Sequence, residues 1–213
     1  MNKSLKQDWS RRKFIARVAE AGTAAMLSPL LSLARNPHDR VADIVARMNG
    51  VDTHNHIDVP LTKADLPGPA VDLLGEMKKS GLSAICMTFA VDYQKLTREG
   101  EAYERFINGL DAQDVVLKRS KIKRALHLAD IRAAQKKRKP IVIQSVEGGH
   151  FLEGNIGRLE EAYKRGLRHL GLLHDNDASV PLGDIYTNPA KWGGLTEFGI
   201  HVIKECNRLG ILI

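Results

Sequence analysis

Ile141-Val142-Ile143-Gln144-Ser145-Val146-Glu147-Gly148-Gly149 is the stretch from which the fold is read. Pro140 precedes it, its interior is β-branched and uncharged, and a carboxylate followed by two glycines closes it, the pattern of a buried strand with a polar C-terminal edge. Two glycines after Glu147 let the backbone approach closely, so this acid reads as a site residue rather than a solubility residue.

The same alternation repeats on either side. Upstream, 50–54 reads as a short buried strand ending in His54, after a helical lead at 40–48. A helix at 71–79 stops at Gly81, and 83–90 is an apolar run without charge. Charged helices at 99–119 and 128–137 fill the space before Pro140. Downstream, a helix at 155–165 ends at Gly166, and 167–174 is an apolar strand ending at His174. Thr196 caps a helix to about residue 208, Gly210 stops it, and 211–213 begins a further strand. Strands alternating with helices imply an α/β fold with a parallel sheet, either a (β/α)8 TIM-type barrel or an open doubly wound sheet. An eight-stranded barrel would be represented by about four and a half strands. No Gly-rich phosphate loop follows the first strand, which argues against dinucleotide binding.

Both architectures bind ligands at the C-terminal edge of the strands, and that edge collects His54, His56, Glu147 and His174. His54-Asn55-His56 sets two imidazoles two residues apart, a spacing that lets both turn toward one ion. His174 stands before Asp175-Asn176-Asp177 and reads either as a loop residue or as a ligand or oxyanion stabiliser. His127, His150, His169 and His201 have no matching partners and read as structural or surface residues.

The formal charge of the 213 residues is +7, but residues 1–34 hold six Lys/Arg against Asp8 and Glu20, so +4 of it sits there and +3 elsewhere. The basic runs 118–124 and 136–139 have no interleaved aromatics and read as solvated helix ends, so nucleic acid is not an expected partner. Ser10-Arg11-Arg12-Lys13-Phe14-Ile15 and the modestly apolar 16–33 resemble a twin-arginine export signal, with Ser32-Leu33-Ala34 as a cleavage site. Residues 1–34 are therefore expected to address the chain to the twin-arginine export machinery. Residues 35–213 would form the exported domain, periplasmic or extracellular, with no stable membrane span after residue 34. Cys86 and Cys206 each lie in an apolar pattern suited to a buried thiol, and no disulfide is indicated.

Four blocks in order carry a family resemblance: Asp52-Thr53-His54-Asn55; Ser145-Val146-Glu147-Gly148-Gly149-His150; Gly166-Leu167-Arg168-His169-Leu170 with Leu173-His174-Asp175-Asn176; and Gly194-Leu195-Thr196-Glu197-Phe198-Gly199 with Asn207-Arg208-Leu209-Gly210-Ile211-Leu212-Ile213. From about residue 50 to the end the chain resembles the membrane, or renal-type, dipeptidases. The resemblance implies a (β/α) barrel with two zinc ions that hydrolyses dipeptides through a metal-bound hydroxide. By it, His54 and His56 hold the first zinc, Glu147 bridges both, and His174 contacts substrate and stabilises the tetrahedral intermediate.

Two departures stand out. The family pattern has aspartate where this chain has His56, which keeps a ligand but makes the site more positive. The family's next block, with a histidine for the second zinc, would follow Ile213. If 213 residues are the whole product, the expectation is a product without activity. A noncatalytic exported remnant and another amidohydrolase-type activity, such as lactonase or deacetylase action, stay open beside the dipeptidase, as does a homodimer.

Overall fold

The computed structural model describes residues 37–68 and 70–213, so the export signal expected at 1–34 lies outside the described residues. The chain divides after Arg47 into two compact units. The described part of the first is one helix, α1 (Pro37–Arg47), closed by Arg47 Nε donating to the Asp43 carbonyl at 3.0 Å.

The second unit alternates strands and helices: β1 (Val51–His56), α2 (Leu73–Ser80), β2 (Ala84–Thr88), α3 (Glu101–Ser120), β3 (Lys123–Arg124), α4 (Leu128–Lys137), β4 (Ile141–Glu147), α5 (Gly157–Lys164), β5 (Leu167–Gly171) and α6 (Glu197–Leu209). The helix ends follow local chemistry. Asp72 caps α2 by accepting from the Gly75 amide at 3.0 Å, and Thr196 caps α6 by accepting from Gly199 at 3.0 Å. Gly81 and Gly210 close the same helices at φ of 71° and 78°, a conformation that favours a residue without Cβ.

All strand pairs are parallel. β1 pairs with β2 and β2 with β4; along the other edge of β4, β3 lies beside Ile141 and Val142 while β5 lies beside Gln144 to Glu147. Leu212 then bridges His169 of β5, again in parallel. The long strands thus follow chain order in one direction, the winding of a (β/α) barrel. A doubly wound sheet reverses its order at a switch point, and no reversal occurs among the long strands β1, β2, β4 and β5.

Alternate residues of β4 face opposite layers. Val142 packs with Leu73 and Met77 of α2 and Leu117 of α3, and Val146 packs with Phe106, Phe151 and Leu159. The Phe106 and Phe151 rings stack at a centroid distance of 4.0 Å. Each such fully buried ring contributes on the order of 1.5–3 kcal/mol. Ser145 and Glu147 point to the other side of the sheet, away from that helical layer.

Three sequence expectations change. The basic run 118–124 is not wholly a solvated helix end: Lys123 and Arg124 form β3, and the Arg124 guanidinium is held by Gln144 Oε1 at 2.8 Å and by Asp114. Ala125 donates to the Val142 carbonyl at 2.7 Å, so backbone pairing with β4 carries this segment into the sheet. The strand expected over 167–174 stops at Gly171, and His174 stands in the following loop. β1, by contrast, runs on to His56, two residues beyond the expected end.

The loop after β2 is tied to α3 by a buried ion pair. Arg105 Nη2 meets Glu101 Oε1 at 2.6 Å, while Arg105 Nη1 donates to the carbonyls of Val91 and Gln94 at 3.0 and 2.6 Å. Glu101 Oε2 accepts the Thr97 and Arg98 amides at 2.6 and 3.1 Å. The Thr97 amide, aided by Arg105 and Arg98, holds the Glu101 carboxyl down to about 2 against the opposing effect of burial. A carboxyl lowered by folding stabilises the protein above its ordinary value of 4.5, and that stabilisation drains away as pH falls toward about 2. Glu101→Gln is expected to cost about 1–3 kcal/mol near neutral pH. In urea unfolding followed by circular dichroism, the gap between variant and parent should narrow on acidification; a gap independent of pH would show that the carboxylate charge contributes nothing.

Candidate metal centre

β1 carries its two histidines to the sheet edge through a bulge. The register runs Asp52 to Ile85 and then Asn55 to Met87, one residue more on β1 than on β2. Asp52 fills the lapse, accepting the His54 amide at 3.1 Å and the Asn55 side-chain amide at 2.8 Å. From His54, within the bulge, to His56 the strand alternation sets both imidazoles on one face.

Glu147 ends β4 opposite them. Its amide donates to the Phe89 carbonyl at 3.0 Å, and Gly148 and Gly149 continue along the neighbouring chain by donating to Gly171 and Leu172 at 2.7 and 2.9 Å. Gly148 adopts φ 84°, and a Cβ there would stand 2.4 Å from His150 Nδ1, so only glycine fits the turn that releases Glu147 from the strand.

The side chains converge. His54 Nε2 and His56 Nε2 lie 3.0 Å apart, and they stand 3.7 and 3.1 Å from the two Glu147 carboxylate oxygens. His174 Nε2 approaches the same carboxylate at 3.3 Å. Two imidazole nitrogens each about 2.0–2.1 Å from a common ion would themselves be about 3 Å apart, so the observed pair suits a shared cation. Two neutral nitrogen donors and one carboxylate match the donor set that zinc and similar borderline ions take. The two β1 histidines are about half exposed, so the cluster opens to solvent.

All four residues singled out from the sequence therefore meet at one sheet edge. His54, His56 and Glu147 form a group that could hold a metal ion, and His174 adjoins it from a loop. A cleft of about 470 Å³ opens beside them, lined among others by His56, His174, Asp58, Thr88, Tyr93 and Asp175. That volume is in the range of small-molecule sites.

Three further residues enter: Asp92, which sequence reasoning passed over, and His150 and His169, which it read as structural or surface residues. Asp92, wholly buried, accepts from His174 Nδ1 at 2.6 Å and from the Asn176 amide at 3.1 Å. The signal was present: Val91-Asp92 follows an uncharged strand as Glu147 does. His150, expected to be structural or superficial, is fully buried beside Asp92, its Nε2 donating to the Asn176 carbonyl at 2.7 Å. His169 faces Ser145 across the β4/β5 register and pairs with its hydroxyl at 2.7 Å. Burial pushes the His169 imidazole below its ordinary value; His54 adds to the shift and Glu147 opposes it. Cys86 and Cys206 are both buried free thiols, pushed up to about 11 by burial, as their apolar settings imply.

Solved structures share this fold at low identity. An amidohydrolase from Pseudomonas aeruginosa is 22% identical with a TM-score of 0.62, covering 80% of this chain and 46% of its own. A probable dipeptidase from Pseudomonas aeruginosa is 18% identical with a TM-score of 0.63, covering 83% of this chain and 49% of that one. A metallopeptidase from Rhodobacter sphaeroides, solved with a phosphinate mimic of the dipeptide L-Ala-D-Ala, is 20% identical with a TM-score of 0.56, covering 78% and 58%. The chain spans about half the length of these structures. The family model for membrane dipeptidase, peptidase family M19, matches residues 38–213, which includes every strand and every cluster residue described above. By that match, and with a bulged β1, an edge carboxylate on β4 and a loop histidine gathered at one site, this chain belongs to the membrane dipeptidase family.

Proposed function

We propose that this chain supplies the zinc-binding centre of a dipeptidase, hydrolysing the peptide bond of dipeptides in the cleft beside His56 and His174. The observation that carries the reading is the convergence of His54, His56 and Glu147 on one small volume with His174 facing it. The dipeptide mimic bound by the Rhodobacter sphaeroides metallopeptidase supports the substrate class.

Each residue has a task its geometry allows. His54 and His56 would hold a zinc ion through Nε2, and Glu147 would supply the negative charge beside them. Bound at these residues, zinc would supply an acidified water and a polarised carbonyl oxygen. His174 turns Nε2 toward the same space, within reach of a hydrogen-bond donor on the substrate. The Glu147 backbone is anchored on both sides, so its carboxylate keeps its place as substrate enters. His56, standing where the family pattern has aspartate, leaves the centre one negative charge poorer and favours ions that prefer nitrogen donors.

Calorimetric titration of the protein with zinc checks the centre. His56→Ala and Glu147→Ala are each expected to weaken binding by at least about tenfold, since even outer partners of metal ligands commonly contribute that much; undiminished binding by both variants would remove the centre. Hydrolysis of Gly-Xaa and Xaa-D-Ala dipeptides should disappear with chelator and return with zinc. Cleavage of a lactone or an acetylated amine but of no dipeptide would favour the other amidohydrolase-type reading, and zinc binding without any turnover the noncatalytic one.

Export belongs to the same proposal and rests on Ser10-Arg11-Arg12-Lys13-Phe14-Ile15. Residues 1–36 fused to a folded reporter should carry it out of the cytoplasm, and replacing Arg11 and Arg12 by lysine should retain it inside. Equal export of both fusions would refute a twin-arginine route.

A further inference from the structure

Asp92 has no exposed surface, yet it is ionisable and sits in the loop after β2 rather than in a strand. A buried carboxylate needs donors, and three reach it. His174 Nδ1 approaches Oδ1 at 2.6 Å, and Oδ2 accepts the Asn176 backbone amide at 3.1 Å and its side-chain amide at 3.3 Å. The Asn176 side chain also donates to the Asp92 carbonyl at 3.0 Å. His150 closes the remaining side, with Nε2 3.5 Å from Oδ2 while donating to the Asn176 carbonyl.

These partners fix the protons. An ionised carboxylate only accepts, so His174 must carry its hydrogen on Nδ1. That leaves Nε2 as the atom turned to Glu147, 3.3 Å away. The loop bearing Asp92 is itself held, because Arg105 grips the carbonyls of Val91, Gln94 and Lys95 from α3.

We infer that Asp92 is the positioning residue for His174: it sets the ring's orientation and its Nδ1–H tautomer, so that Nε2 is presented to the cleft. Asp92 touches neither the cation-binding group nor the open cleft and acts only through the imidazole. The reactive role of His174 rests on the dipeptidase reading, whereas its tautomer does not depend on turnover.

Asp92→Asn separates these possibilities. The amide keeps the shape but must turn its NH2 group one way. Facing Asn176 it would oppose two donors; facing His174 it opposes one and relieves that conflict if the ring moves its hydrogen to Nε2. In mildly alkaline buffer, nitrogen-15 NMR of the full chain, with and without zinc, is expected to show His174 with Nδ1 protonated in the parent and Nε2 protonated in D92N. Zinc affinity by calorimetry should change less than about threefold, because no group of the His54, His56 and Glu147 cluster is altered. On any dipeptide the protein cleaves, kcat of D92N should fall about 10- to 100-fold, the range for partners that orient a site residue, with KM little changed. A parent ring protonated on Nε2, or a D92N ring that keeps its Nδ1 proton, would overturn the inference; the first measurement requires no variant to fold. A tautomer switch in a protein that cleaves no dipeptide would uphold the positioning role and count against the dipeptidase reading alone.

Discussion

A carboxylate with no exposed surface is expensive unless every oxygen finds a donor, and Asp92 meets that demand by drawing together three segments remote in sequence. The loop after β2 provides the acid, the loop after β5 provides His174 and Asn176, and the turn after β4 provides His150. The Arg105 guanidinium answers a second demand, for acceptors, by taking backbone carbonyls of the same loop. Breaking either knot leaves a buried charge uncompensated, a far larger effect than losing a surface ion pair. The sheet edge beside β4 is held in place by these two knots.

Two exposed pairs, Lys79 with Glu76 and Lys164 with Glu160, bind neighbouring turns of single helices. They are solvated and link no two elements. Order at the site therefore comes from buried hydrogen bonds, and the bulge in β1 shows the same economy. One extra residue there forfeits a rung of the ladder, Asp52 takes up the freed His54 amide, and the imidazoles emerge on the face that Glu147 occupies.

The cluster is half open where His54 and His56 stand and closed where His174 is anchored. A flexible imidazole near a cation could compete as a ligand, whereas one held through Nδ1 presents a single nitrogen in a single direction. Membership of the membrane dipeptidase family gives that arrangement its chemical setting. The fold alone would not, since barrels of this kind host many reactions.

Much of this was legible in the chain. The alternation of uncharged strands with capped helices determined an α/β parallel sheet, and the habit of placing polar residues just after such strands brought His54, His56, Glu147 and His174 onto one list. Those signals are local: a strand's periodicity, a capping threonine, a glycine at positive φ. The family blocks reached further, because four motifs in order are specific where each alone is not. What the tertiary structure decided was which side chains meet and through which atoms. Strand order excluded the doubly wound sheet, β3 turned a basic run into part of the sheet, and His174 proved to be a loop residue held by Asp92 rather than the end of a strand. Asp92 carries the same sequence signature as Glu147, an acid closing an apolar run, yet Glu147 faces the two β1 histidines and Asp92 is sealed beneath them. Nothing in local sequence separates them, because burial is set by what packs from elsewhere in the chain, here His150 and Asn176, 58 and 84 residues further along.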